Sequence, residues 1–136
     1  MARAESRRTT TKAAPIRIGG QSIAPGERQR IDLALPSLFS QVEVHLPVHV
    51  LHGRRPGPRL FLTAAVHGDE INGIAIIRQL LSSSALRNLR GTLIAVPVVN
   101  VYGFVRHSRY LPDRRDLNRS FPGSVSGSLA SRLANI

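Results

Sequence analysis

Two apolar runs joined by an amphipathic stretch set the fold class of this chain. The first, Arg59-Leu-Phe-Leu-Thr-Ala-Ala-Val66, shows no polar alternation. A run of that kind predicts a strand covered on both faces, as in the interior of a parallel sheet. It passes through the polar turn His67-Gly-Asp-Glu70 into Ile71, Ile74, Ile77 and Leu81, whose recurrence predicts a helix from Glu70 to about Ser83. A second buried strand is expected in Gly91-Thr-Leu-Ile-Ala-Val-Pro-Val-Val99. Strand, helix, strand in so short a span is a βαβ unit, so the class is α/β.

The flanks fit around that unit. Residues 1–14 are small, polar and basic and read as a disordered leader, leaving 15–136 for the folded domain. Short strands are expected near Ile16–Ile18 and from Ile31 to Pro36. In Val42-Glu-Val-His-Leu-Pro-Val-His-Val50 the valines and Leu46 alternate with polar residues, which predicts a strand with one wet face. Pro47 suggests an edge position for it. His45 and His49 fall on the wet face about 13 Å apart, too far to share a metal. His52 reads as the start of a loop running through Gly53–Pro58. Residues 100–123 form a long connection without regular period, of the length that in compact domains is usually functional or disordered. Its Tyr102, Phe104, Tyr110, Leu117 and Phe121 predict that it packs. A last helical pattern, Ser124 to Ile136, places Leu129, Leu133 and Ile136 on one face.

Two constellations carry chemistry. His67 and Glu70, three residues apart at the end of a buried strand, can face one point. That is the edge of an α/β sheet where ligands bind. On spacing alone they read either as two metal ligands or as the polar start of a helix, with Asp69 either orienting His67 or capping that helix. Asp116-Leu-Asn-Arg119, with Arg109 ahead of it, reads either as a grip on a carboxylate, which a guanidinium binds with two parallel hydrogen bonds, or as a solvated basic loop. Asp113 is expected to pair with Arg114 or Arg115.

Together, His67-Gly-Asp-Glu70-Ile-Asn-Gly and Arg109-Tyr with Asp116-Leu-Asn-Arg119-Ser-Phe-Pro-Gly resemble the succinylglutamate desuccinylase/aspartoacylase family, a branch of the zinc carboxypeptidases. The likeness spans roughly residues 42–136. It implies a three-layer α/β/α fold around a mixed, largely parallel sheet, incomplete at the C-terminus. It implies a zinc-dependent deacylase or amidohydrolase acting on an N-acyl amino acid or similar carboxylate substrate. His67 and Glu70 match two zinc ligands, and Asn118 and Arg119 match the substrate-carboxylate binders. Arg109 matches the arginine that binds substrate and polarises the scissile carbonyl. The family's third ligand, a downstream histidine, and its general-base glutamate have no counterpart before Ile136. His107, the one other histidine near these motifs, lies in the arginine loop. The chain is therefore expected to be an N-terminal portion, inactive alone.

Composition narrows the alternatives. There are no cysteines, hence no disulfides and no thiolate metal site. The net charge of +11 comes from 19 Lys and Arg against 8 Asp and Glu, with Lys12 the single lysine. The arginines are scattered and lack interleaved aromatics, so a nucleic acid is not the expected partner. No apolar run approaches the roughly 20 residues that span a bilayer, and a cytoplasmic protein is expected, with an oligomer compatible with the sequence. The rival reading is a non-catalytic basic α/β domain that binds a small ligand or nucleic acid.

Overall fold

The structure, a computed structural model, describes residues 11–37 and 42–136. Residues 1–10, most of the expected leader, lie outside that range. Within 11–14 the chain is held by two hydrogen bonds, from Ala13 N to Arg54 O (3.0 Å) and between His52 Nε2 and Ala14 O (2.8 Å).

A small antiparallel hairpin comes first, β1 (Ile16–Ile18) with β2 (Gln21–Ile23). Four further strands, β3 (Arg28–Ala34), β4 (His45–His52), β5 (Arg55–Thr63) and β6 (Arg90–Val96), form one mixed sheet in the order β3-β4-β6-β5. β3 and β6 pair antiparallel with β4, and β5 pairs parallel with β6 from Arg59↔Thr92 to Thr63↔Val96. Helix α1 (Asn72–Ser82) and a 3-10 turn, Ser84–Asn88, connect β5 to β6, which is the expected βαβ unit. Mixed is therefore right for the sheet, although of the three pairings within it among the described residues only one is parallel.

Three expectations change. The run at Arg59–Val66 is not interior: β5 takes the sheet's outer edge, where Leu60 and Phe61 are 58% and 65% exposed. The interior position between two partners belongs to β4 and β6 instead. β4, with its Pro47, is thus not an edge strand, yet β6 pairs only with His49–His52, so Pro47 sits where one side of β4 has no ladder to donate to. His52 is no loop residue. It ends β4, buried, with Nδ1 2.9 Å from Thr92 Oγ1.

One face of the sheet carries Leu46, Val48, Val50 and Val96 into the main core, together with Ile23 and Ile31. The connection after β6 supplies the cover for that face. It is more regular than its sequence suggests: α2 (Val101–Val105), a 3-10 turn at Leu117–Arg119, and α3 (Leu129–Ala134), shorter than the pattern from Ser124 predicted. Tyr102, Leu111, Leu117, Leu129, Ala130 and Leu133 are its buried anchors, whereas Tyr110 and Phe121 stay about half exposed. Asp113 bonds backbone rather than an arginine side chain, accepting from Arg115 N (3.3 Å) and from Ala130 N in the first turn of α3 (3.1 Å). The register turns Leu51, Leu93 and Ala95 to the opposite face, and α1 contributes the buried Ile77 outside the main core.

Candidate active site

The site forms where β5 ends. After Thr63 the chain turns sharply at Ala65, a buried residue at φ 49, in the left-handed region that L residues enter at a cost. Ala64 and Ala65 still hold the β6 side: Val99 N donates to Ala64 O (3.0 Å) and Asn100 N to Ala65 O (2.9 Å). This clamp aims the next residues across the sheet end toward the α2 loop. Gly68 lies against the backbone of Gly103 and Phe104 so closely that a Cβ there would overlap their main-chain atoms. Its N–H donates to Ser108 O (3.0 Å). Asn100, fully buried, fixes the other side of that contact: its Oδ1 caps α2 by accepting from Gly103 N (2.7 Å), and its amide reaches Arg109 O (3.4 Å).

His67 is buried at the centre. Its Nδ1 lies 2.9 Å from Glu70 Oε1 and its Nε2 3.1 Å from Asp116 Oδ1. Asp116 is the hub. The same Oδ1 accepts from Asn118 N (2.9 Å), which starts the 3-10 turn, while Oδ2 is 3.3 Å from Arg109 Nη2 and 3.7 Å from Arg119 Nε. Burial alone would raise the Asp116 carboxyl. The hydrogen bonds from His67 and Asn118 N and the positive charge of Arg109 outweigh it and hold the group below the usual carboxylate range. Arg109 also reaches back to Glu70, Nη1 to Oε1 at 3.5 Å, so one guanidinium bridges the two carboxylates that flank the imidazole.

The five residues singled out from the sequence therefore separate into two groups. His67, Glu70 and Arg109 come together directly, and Arg119 joins at longer range, its side chain 84% exposed. Asn118 enters through its backbone N–H, with an exposed side chain. His107 is exposed at φ 50 in the turn after α2. Asp116 and Asn100 were the residues missed. Asp116 stood in the motif with no role assigned. Its signal was available, since an acceptor placed just ahead of a loop that must be held against a histidine is the usual partner of that histidine's second nitrogen.

The donor chemistry suits a divalent metal. A neutral imidazole donates from one nitrogen only. In the neutral tautomer that donates from Nε2 to the buried Asp116, the Nδ1 lone pair would face the lone pairs of Glu70. A cation shared by these two groups relieves that conflict. Their 2.9 Å separation is near the roughly 3.3 Å between neighbouring donors around zinc with bonds of 2.0–2.1 Å. Glu70, at 62% side-chain exposure, is free to make up the difference. Among the described residues no group of three or more His, Cys, Asp or Glu could hold a metal ion, and Asp116 meets the ring nitrogen opposite the one facing Glu70. An open cleft of about 640 Å³, lined by Thr63–Val66 and Asp69–Gly73, borders Glu70. Among the same residues no helix is long and apolar enough to cross a membrane.

Likeness to solved structures places the chain in the zinc-peptidase-like α/β fold class. Within it, residues 56–135 match the succinylglutamate desuccinylase/aspartoacylase catalytic domain, and the chain belongs to that family. It is similar to N-alpha-acetyl-L-2,4-diaminobutyric acid deacetylase of Halomonas elongata, 38% identical over 93 residues, covering 68% of this chain and 27% of that protein. Among solved structures it resembles the product-bound ectoine utilization protein EutE (DoeB) from Ruegeria pomeroyi, with TM-score 0.73 and 32% identity over 90% of this chain and 37% of that one. A succinylglutamate desuccinylase/aspartoacylase from Rhodobacter sphaeroides aligns with TM-score 0.72 and 33% identity, over 79% of this chain and 34% of its own. The chain thus spans between 27% and 37% of the length of these relatives.

Proposed function

We propose that this chain serves a zinc-dependent deacylase that hydrolyses the amide bond of an N-acyl amino acid or a similar carboxylate substrate. The observation that carries the reading is the clasp on His67: Nε2 on the buried Asp116, Nδ1 toward Glu70. That is the orientation in which an imidazole presents one nitrogen to a metal while a carboxylate fixes the other. The family match and the deacetylase relative support an acyl amino acid as the substrate class.

In this reading His67 and Glu70 hold zinc and Asp116 keeps the imidazole in the right tautomer. When bound, zinc supplies Lewis acidity, polarising a carbonyl and lowering the pKa of water to roughly 7. Arg109, which bridges Glu70 and Asp116, swings one guanidinium edge to the substrate carbonyl oxygen and stabilises the charge that develops there. Arg119 and Asn118, on the exposed side of Asp116, take the substrate carboxylate, the guanidinium with paired hydrogen bonds.

Catalytic zinc takes three protein ligands, and the described residues supply two on one side. We therefore also propose that residues 1–136 alone do not turn over substrate. Zinc titration of the purified chain tests the first reading: His67→Ala and Glu70→Ala should each abolish the bound metal, and unchanged binding would sink it. Assay of the same chain with zinc and a panel of N-acetyl amino acids tests the second, since any His67-dependent turnover refutes it.

A further inference from the structure

The candidate site occupies one end of the sheet, and a separate feature lies at the other. β5 runs nine residues away from the His67 end, about 26 Å at 3.3 Å per residue. At its start lies a separate cavity of about 230 Å³, formed by the turn into β3, the link between β4 and β5, and the 3-10 turn ahead of β6. Four of its lining residues are arginines: Arg28, Arg54, Arg55 and Arg87, with Asn88 beside them. The carboxylate among the lining residues, Glu27, is turned into its own loop, where Oε2 accepts from Ala24 N at 2.8 Å. Among the described residues none of the four guanidiniums is in an ion pair; those pairs involve Arg30, Arg109 and Arg119.

Close backbone contacts build the walls. Gly53 is buried against Leu89, with no room for a Cβ beside the Leu89 carbonyl, and its N–H donates to Gly91 O (2.7 Å). That contact locks the β4–β5 link to the 3-10 turn carrying Arg87. Gly26, at φ +94, lies under the Arg54 side chain, where an added Cβ would come within 2.9 Å of Cγ and 3.0 Å of Nε. The Arg54 stem is therefore laid across a bare peptide, which positions its guanidinium. Four like charges lining one cavity repel one another, and an anion bound among them relieves that repulsion.

We propose that this cavity is a binding site for a compact multivalent oxyanion, a phosphoryl or polycarboxylate group, remote from the catalytic centre. Its concave shape and small volume fit such a group and not a polynucleotide, whose backbone needs a continuous basic track. The arginine fork matches the planar oxygens of either anion.

The test is calorimetric titration of the 136-residue chain with inorganic phosphate, pyrophosphate and citrate at about 0.15 M salt. One saturable site per chain is expected. Arg54→Gln and Arg87→Gln should each weaken it about tenfold, Arg54→Lys less so, and Arg114→Gln/Arg115→Gln not at all. Pyrophosphate bound more tightly than citrate assigns the phosphoryl source, and the reverse order the carboxylate. Arg87 projects from a surface turn, so its variant reports on binding even if Arg54→Gln lowers the melting temperature. No saturable binding of any of the three anions, equal weakening by the Arg114/Arg115 variant, or an oligonucleotide that binds and is not displaced by pyrophosphate would each overturn the proposal.

Discussion

At the scale of single residues, Asp116 holds the candidate site together. It touches His67, Arg109, Arg119 and the backbone of Asn118 at once. Asp116→Asn keeps the shape but offers His67 an amide in place of a carboxylate, which frees the imidazole to adopt the other tautomer. On the proposed zinc site, affinity for zinc measured by competition with a chelating dye should fall 10–100-fold, the usual effect of removing the carboxylate partner of a liganding histidine. Gly68 matters for a steric reason. Gly68→Ala drives a methyl into the Gly103–Phe104 backbone, so either the His67 turn or α2 must move. A loss of more than about 2 kcal/mol in urea unfolding is expected, in line with overpacking against main chain.

At the scale of elements, the outer edge of the sheet is the weak point. Among the described residues β5 shows solvent an unpaired ladder over Arg55–Thr63 with Leu60 and Phe61 exposed on opposite faces, and Ile71, the N-cap of α1, and Ile76 within α1 are exposed as well. An open apolar edge is a template for another strand. The purified chain should therefore self-associate with rising concentration, and Phe61→Lys should shift its sedimentation toward monomer. A concentration-independent monomer in both would show that the arginines flanking β5 already protect the edge. β4, in contrast, is closed on both sides over its last half, and there His49 faces Arg30 directly across the β3 ladder. Burial first, then the charge of Arg30, lowers the His49 pKa below 6.5, with Asp32 opposing. A histidine harder to protonate in the folded state leaves stability intact above pH 6.5 and removes it as pH falls through the folded pKa. His49→Gln should accordingly lose less stability than the parent between pH 7 and pH 5, read as the change in urea midpoint; equal losses would place the acid sensitivity elsewhere.

At the scale of the molecule, local and long-range information part company. The βαβ unit, the family and the pairing of His67-Gly-Asp-Glu70 with Arg109 and Asp116-Leu-Asn-Arg119 could be read from residue order, because helical period, apolar runs and short chemical motifs are properties of neighbours along the chain. Sheet position could not. An unbroken apolar run is compatible with an interior strand and with an edge strand alike, and only the pairing of β6 between β4 and β5 settled which strand Arg59–Thr63 became. The same holds for His52, read as a loop residue until its partners Thr92 and Ala14, 40 and 38 residues away, closed around it. It holds for Asp116, whose contact with His67 spans 49 residues. What the chain can attempt chemically was written in its motifs. Which groups meet, in what tautomer and beside which charges, depended on tertiary packing, since a hydrogen bond across such a separation has no signature in local sequence.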